Sequence, residues 1–116
     1  MRIHHLALRT LDLARLERFY VDVFDLEVLR RDGVRSIWLD LGGVILMLER
    51  SESGEPTIDP GSKELLCFGI APGDRDGLLS RLAAASVTVE GRTRSTLYFR
   101  DPDGRRIGAS AYPEEL

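Results

Sequence analysis

The sequence predicts an α+β fold built from two tandem βαβββ modules, and three observations predict it. Twice, a short apolar strand-like run leads into an amphipathic helix that opens on an aspartate, Asp12 and then Asp74. Each helix is followed by further strand-like runs broken at tight turns. A polar loop rich in Ser, Glu, Gly, Pro and Asp divides the chain near its middle.

Residues 3–9 are apolar and β-compatible and form the first strand. Asp12 is a helix N-cap, because its carboxylate can accept the unpaired amide hydrogens of a first turn. Leu13, Leu16, Phe19, Tyr20 and Val23 recur at helical spacing, so residues 12–23 form an amphipathic helix. Residues 27–31 make a short strand, Asp32-Gly33 a hairpin turn, and residues 35–41 the returning strand. Gly42-Gly43 turns the chain again into a fourth strand over residues 44–49.

Residues 51–63 carry loop chemistry and link a first module, residues 1–50, to a second, residues 64–116. Residues 64–71 are a strand, and Asp74 caps a helix whose apolar positions are Leu78, Leu79 and Leu82. Weak strand character at residues 87–90 precedes a better strand at residues 95–100. Asp101-Pro102-Asp103-Gly104 is a turn in which Asp caps, Pro presets φ and Gly accepts positive φ, and residues 105–111 close the module. His5 overlays Leu65 at an offset of 60, and Leu39 overlays Tyr98 at 59. The competing architecture is a ferredoxin-like or other α+β sandwich with coincidental spacing.

At 116 residues the chain supports one domain-sized core. A net charge of −3 without a basic stripe excludes a nucleic-acid surface. No run approaches the roughly 20 apolar residues of a membrane span. A single cysteine, Cys67, excludes an intrachain disulfide, and with no signal-like N-terminal run the expectation is a cytoplasmic protein.

The most specific stretches are His5-Leu6-Ala7-Leu8-Arg9-Thr10, Asp12-Leu13-Ala14-Arg15, Phe19-Tyr20, Val23-Phe24-Asp25-Leu26 and Tyr98-Phe99-Arg100-Asp101-Pro102-Asp103-Gly104. Their order and spacing resemble the vicinal oxygen chelate family of glyoxalases, bleomycin-resistance proteins and extradiol dioxygenases, with Asp25 where that family has Gly in its Leu-Gly-Leu helix exit. The resemblance covers essentially the whole chain. It implies two modules whose sheets curve into an open half-barrel, a site on the concave face, and a homodimer.

The resemblance also implies a metal site with one ligand from the first and one from the last strand of each module. Carried over position by position, these fall at His5, Glu49, Leu65 and Gly108. Imidazole and carboxylate are able donors for Zn, Ni, Mn or Fe. Leu65 is hydrocarbon and Gly108 has no side chain, whereas catalytic metal sites typically use three protein ligands. His5 and Glu49 therefore admit four readings, in this order: a polar pair in a ligand pocket, a structural pair, metal ligands, and a metal-free acid–base dyad.

Strand alternation extends the candidate lining. Ile3, Ala7 and Arg9 share the face of His5, and Ile45 and Met47 that of Glu49. Leu65, Cys67 and Gly69 with Arg106, Gly108 and Ser110 supply the second module. Trp38 and Tyr98 offer flat aromatic walls, but the offset of 59 makes them face opposite ways, one of them into the core. Cys67 has no basic neighbour to make it a nucleophile.

Three functions compete. The first, which the resemblance implies through drug-sequestering members that lack the metal ligands, is a cofactor-free protein that binds a small, flat molecule, and the acidic net charge is compatible with a cationic guest. The second is a metal-dependent lyase, isomerase or dioxygenase using His5 and Glu49, and the third a small accessory domain.

Overall fold

In the computed structural model, which describes all residues from Met1 to Leu116, the chain divides into two units, Met1–Pro56 and Thr57–Leu116. Strand β1 (His5–Thr10) leads into helix α1 (Leu13–Phe24), followed by β2 (Val28–Asp32), β3 (Ser36–Asp40) and β4 (Ile45–Arg50). The helix starts where its sequence says it should: Asp12 Oδ1 accepts the Arg15 amide at 3.1 Å. Leu16, Phe19, Tyr20 and Val23 are buried on its inner face, against a sheet face that buries Ile37, Leu39, Leu46 and Leu48. The sheet order is β1-β4-β3-β2, with β1 parallel to β4 and the other pairs antiparallel.

Helix α1 ends on Asp25 in the left-handed conformation, at φ 55° and ψ 42°. That conformation crowds a Cβ and is the usual place for glycine. The Gly-to-Asp departure seen in the sequence therefore leaves strain at the helix exit. Asp25→Gly is expected to stabilise the protein by about 0.5–1 kcal/mol, the strain relief outweighing the extra freedom glycine gives the unfolded chain. Chemical denaturation measures this, and a loss of stability would refute it.

The second unit repeats the plan. Strand β5 (Leu65–Gly69) passes through a 3₁₀ turn at Pro72–Asp74 into α2 (Arg75–Ala84), then β6 (Gly91–Arg92), β7 (Thr96–Arg100) and β8 (Arg106–Ser110). The order β5-β8-β7-β6, with β5 parallel to β8, matches that of the first unit. Leu78 and Leu82 of α2 are buried, as are Leu97, Phe99, Ile107 and Ala109 of the sheet.

One expected element is displaced. Residues 87–90 do not form a strand, because the chain there is still closing the helix. Ser86 takes φ 60°, and the Val87 amide donates to the Leu82 carbonyl at 2.9 Å. The strand that results, β6, has only two residues.

Candidate functional site

Each sheet has one face against its helix and one turned away from it. In the first unit the register lays out the second face row by row. His5 lies beside Ile45 and Asp40; Ala7 beside Met47, Trp38 and Arg30; Arg9 beside Glu49, Ser36 and Asp32. In the second unit Leu65 lies beside Arg106 and Arg100; Cys67 beside Gly108, Tyr98 and Gly91; Gly69 beside Ser110 and Thr96. The expected lining residues that lie within strands thus share one face of their own sheet, while Ile3 precedes β1.

Two expectations need correction. The registers make Met47 the counterpart of Gly108, and Ser110 that of Glu49, because β4 and β8 are related by an offset of 61 while β1 and β5 are related by 60. Likewise Trp38 opposite Met47 matches Tyr98 opposite Gly108, so Trp38 and Tyr98 occupy equivalent places on open faces and neither is core. A sequence overlay at 59 had reversed their parity.

The second correction concerns the pair His5 and Glu49. They share a face, but β1 and β4 are in parallel register with His5 beside Ile45 and Glu49 beside Arg9. Four residues of strand separate them, about 13 Å at the usual rise. A direct imidazole–carboxylate dyad does not form. Instead, His5 Nδ1 lies 2.9 Å from Nδ1 of His4, whose ring meets it edge to face. Glu49 lies 3.8 Å from the Arg9 guanidinium.

Arg9 has a closer partner that sequence reasoning missed. Glu55, from the predicted linker, takes two hydrogen bonds from it, Nε to Oε1 at 3.0 Å and Nη2 to Oε2 at 2.7 Å. The Arg9 hydrogen bond, aided by the Glu52 amide, lowers the Glu55 carboxyl to about 2. Because the folded value lies below the unfolded one, the clasp contributes fully above about 4.5 and is lost as pH falls toward 2. In thermal melts, the gap between the native protein and Glu55→Gln is expected to be constant from pH 5 to 7 and to close between pH 4.5 and 2. A gap unchanged across that window would show that the clasp does not persist in solution.

The donor set does not fit the four-ligand metal centre the family resemblance implies. Beside His5 on β4 stands Ile45, and the next position on that face of β4 is Met47, neither a hard donor. In the second unit Gly108 is covered: a Cβ placed there would lie 2.9 Å from Cys67 Sγ and 3.4 Å from Leu65 Cδ1. Within neither unit do three His, Cys, Asp or Glu side chains converge. Burial pushes the Cys67 thiol up from its ordinary range, so it stays protonated and weakly nucleophilic at neutral pH.

Each open face carries its own stacked cation–aromatic pair. The Arg30 guanidinium lies 5.1 Å from the centre of the Trp38 ring, and that of Arg106 lies 4.5 Å from the Tyr98 ring. Trp38 Nε1 is buried without an acceptor. Arg30 was invisible to simple alternation because a bulge between Val28 and Arg30 inserts one residue and turns Arg30 onto the face of Trp38. On the helix side of the first sheet lies a separate depression of about 310 Å³ beside Leu11, Leu13, Val34 and Ile37. None of the predicted site residues lines it.

The chain matches the family model described as the glyoxalase/bleomycin resistance protein/dioxygenase superfamily over residues 2–108. Among solved structures, it is similar to a lactoylglutathione lyase from Agrobacterium tumefaciens, with 27% identity over 94% of this chain and 92% of that one and a TM-score of 0.71. A glyoxalase/dioxygenase from Nostoc punctiforme matches at 23% identity over 93% and 88%, with a TM-score of 0.78. The fosfomycin resistance protein FosX from Listeria monocytogenes, in a complex with Mn(II) and 1S,2S-dihydroxypropylphosphonic acid, matches at 20% identity over 96% and 89%, with a TM-score of 0.77.

Proposed function

This chain belongs to the glyoxalase/bleomycin resistance protein/dioxygenase superfamily, and from that premise we propose that it binds a small planar molecule on its open sheet faces without the family's four-ligand metal centre. One observation carries the proposal. Of the two second-module positions that the resemblance assigns to donors, Leu65 is hydrocarbon, and Gly108, which the register matches to Met47 rather than Glu49, lies under Leu65 and Cys67 with no space for a ligating side chain. The remaining lining is mostly apolar with a few fixed polar points, the composition of a small-molecule site. Trp38 and Met47 supply its flat and adaptable apolar surfaces in the first unit, beside His5 and Ala7. In this reading the protein acts in the cytoplasm as a homodimer, and no helix in it is long and apolar enough to cross a membrane.

A second reading, a metal-dependent lyase, isomerase or dioxygenase, is favoured by the lactoylglutathione lyase and by the Mn(II) in the FosX complex. The two readings differ in a simple melt. An ion bound only by the native state at 100 times its Kd adds about 2.7 kcal/mol. For a chain of this size that raises Tm by several degrees. With Zn, Ni, Mn or Fe(II) added in excess, the expected result is no shift, and purified protein free of stoichiometric transition metal. A shift of several degrees that disappears in His5→Ala would establish the metal-dependent reading instead.

A further inference from the structure

The open face of the second unit carries two guanidiniums and one carboxylate. Arg100 and Arg106 are direct cross-strand partners on β7 and β8. Like charges in that position repel, and a sheet ordinarily avoids them. Arg100 is paired with Glu90, a partly exposed carboxylate that offsets only part of its charge, with Nε to Oε1 at 2.9 Å, and its Nη1 also donates to the carbonyls of Ser62 and Gly104. Arg106 has no carboxylate within 4 Å. Its one protein acceptor is the Lys63 carbonyl at 3.3 Å, and the Tyr98 ring lies against its planar group. The guanidinium is thus held flat by an aromatic ring, keeps most of its five N–H donors unused, and sits opposite a second cation. Its neighbours on the face, Leu65, Gly108 and Ser110, bring no negative charge.

We propose that Arg106 is the recognition point for the oxyanion of a small organic acid, a carboxylate or phosphonate, with Tyr98 as the positioning residue that orients the guanidinium. The inference rests on the small-molecule reading above and adds the charge of the ligand, opposite in sign to what the net charge of the chain had suggested. A planar fork matches two oxygens of a carboxylate or phosphonate at once. An incoming anion also relieves the repulsion between Arg106 and Arg100.

Three probes of one shape test this on the full chain: benzoate, phenylphosphonate and benzylammonium, titrated calorimetrically at low salt. The expected result is that both anions bind at least about tenfold more tightly than the cation, with affinity falling as salt rises. Arg106→Gln should abolish the preference while melting at the native temperature or above, since it removes one of two opposed like charges. Arg106→Lys should retain part of the preference, and Tyr98→Leu should reduce it. Tighter binding of benzylammonium overturns the proposal and leaves the small-molecule reading standing. Failure of all three probes to bind overturns both. Anion affinity unchanged in Arg106→Gln, or severe destabilisation by that substitution, makes Arg106 a structural residue and ends the proposal.

Discussion

Asp101→Ala is expected to lower the unfolding free energy by about 3–5 kcal/mol, the cost of removing one partner from a buried charge pair. The Asp101 side chain is fully buried and anchors a set of polar contacts. Oδ1 accepts the amides of Asp103 at 2.9 Å and Arg105 at 3.1 Å, while Oδ2 meets the Arg105 guanidinium at 3.0 Å. Gly104, at φ +91°, lets the chain return within this short turn. Alanine would take the acceptor from two part-buried amides and one carboxylate from a nearly buried guanidinium, which keeps Asp103 at 3.2 Å. Because the turn joins β7 to β8, the damage reaches the register that places Tyr98 and Arg106. Asp101→Asn keeps an oxygen for the amides and gives up the charge, so about 1–2 kcal/mol is expected from it. Urea unfolding measures both, and a loss below about 1 kcal/mol for the alanine variant would mean that the Asp-Pro-Asp-Gly turn is held by something else.

That turn was legible in the sequence because its chemistry is local: each residue type is dictated by a dihedral angle or a hydrogen bond within five positions. The same holds for Asp12 at the start of α1 and for the apolar stripe from Leu16 to Val23, which is why the two-module plan could be read from pattern alone. Strand register is different. It depends on which residue of one strand lies beside which residue of another, and nothing local fixes that. An overlay wrong by one residue on β3 and β7 set Trp38 and Tyr98 on opposite faces, and one wrong by two on β4 and β8 matched Glu49 to Gly108. A side-chain period of two makes any odd slip reverse every face. The bulge beside Leu29 hid Arg30 for the same reason. The clasp of Arg9 by Glu55 was hidden because a loop residue has no periodicity to betray where it returns. The candidate site was therefore legible as a set of residues on the right strands, and illegible as a set of partners.

The strongest test of the face assignments uses two adjacent residues of β7. Phe99 is fully buried among Leu97, Ile107 and the other side chains facing α2, whereas Tyr98 is half-buried on the opposite face under Arg106. Phe99→Ala removes a large apolar side chain from a packed interior and is expected to cost about 3–5 kcal/mol. Tyr98→Ala gives up a cation–aromatic contact and partly exposed ring surface, so its cost should stay near 1 kcal/mol. Its effect on benzoate binding should be large, because the guanidinium it orients would be free to swing into solvent. The two substitutions thus separate stability from recognition along a single strand. Equal destabilisation by both would mean that Tyr98 is covered as deeply as Phe99, and a face closed in that way has no room for a ligand. Since Trp38 occupies the equivalent register in the first unit, the same outcome would remove the basis for a site on that sheet as well.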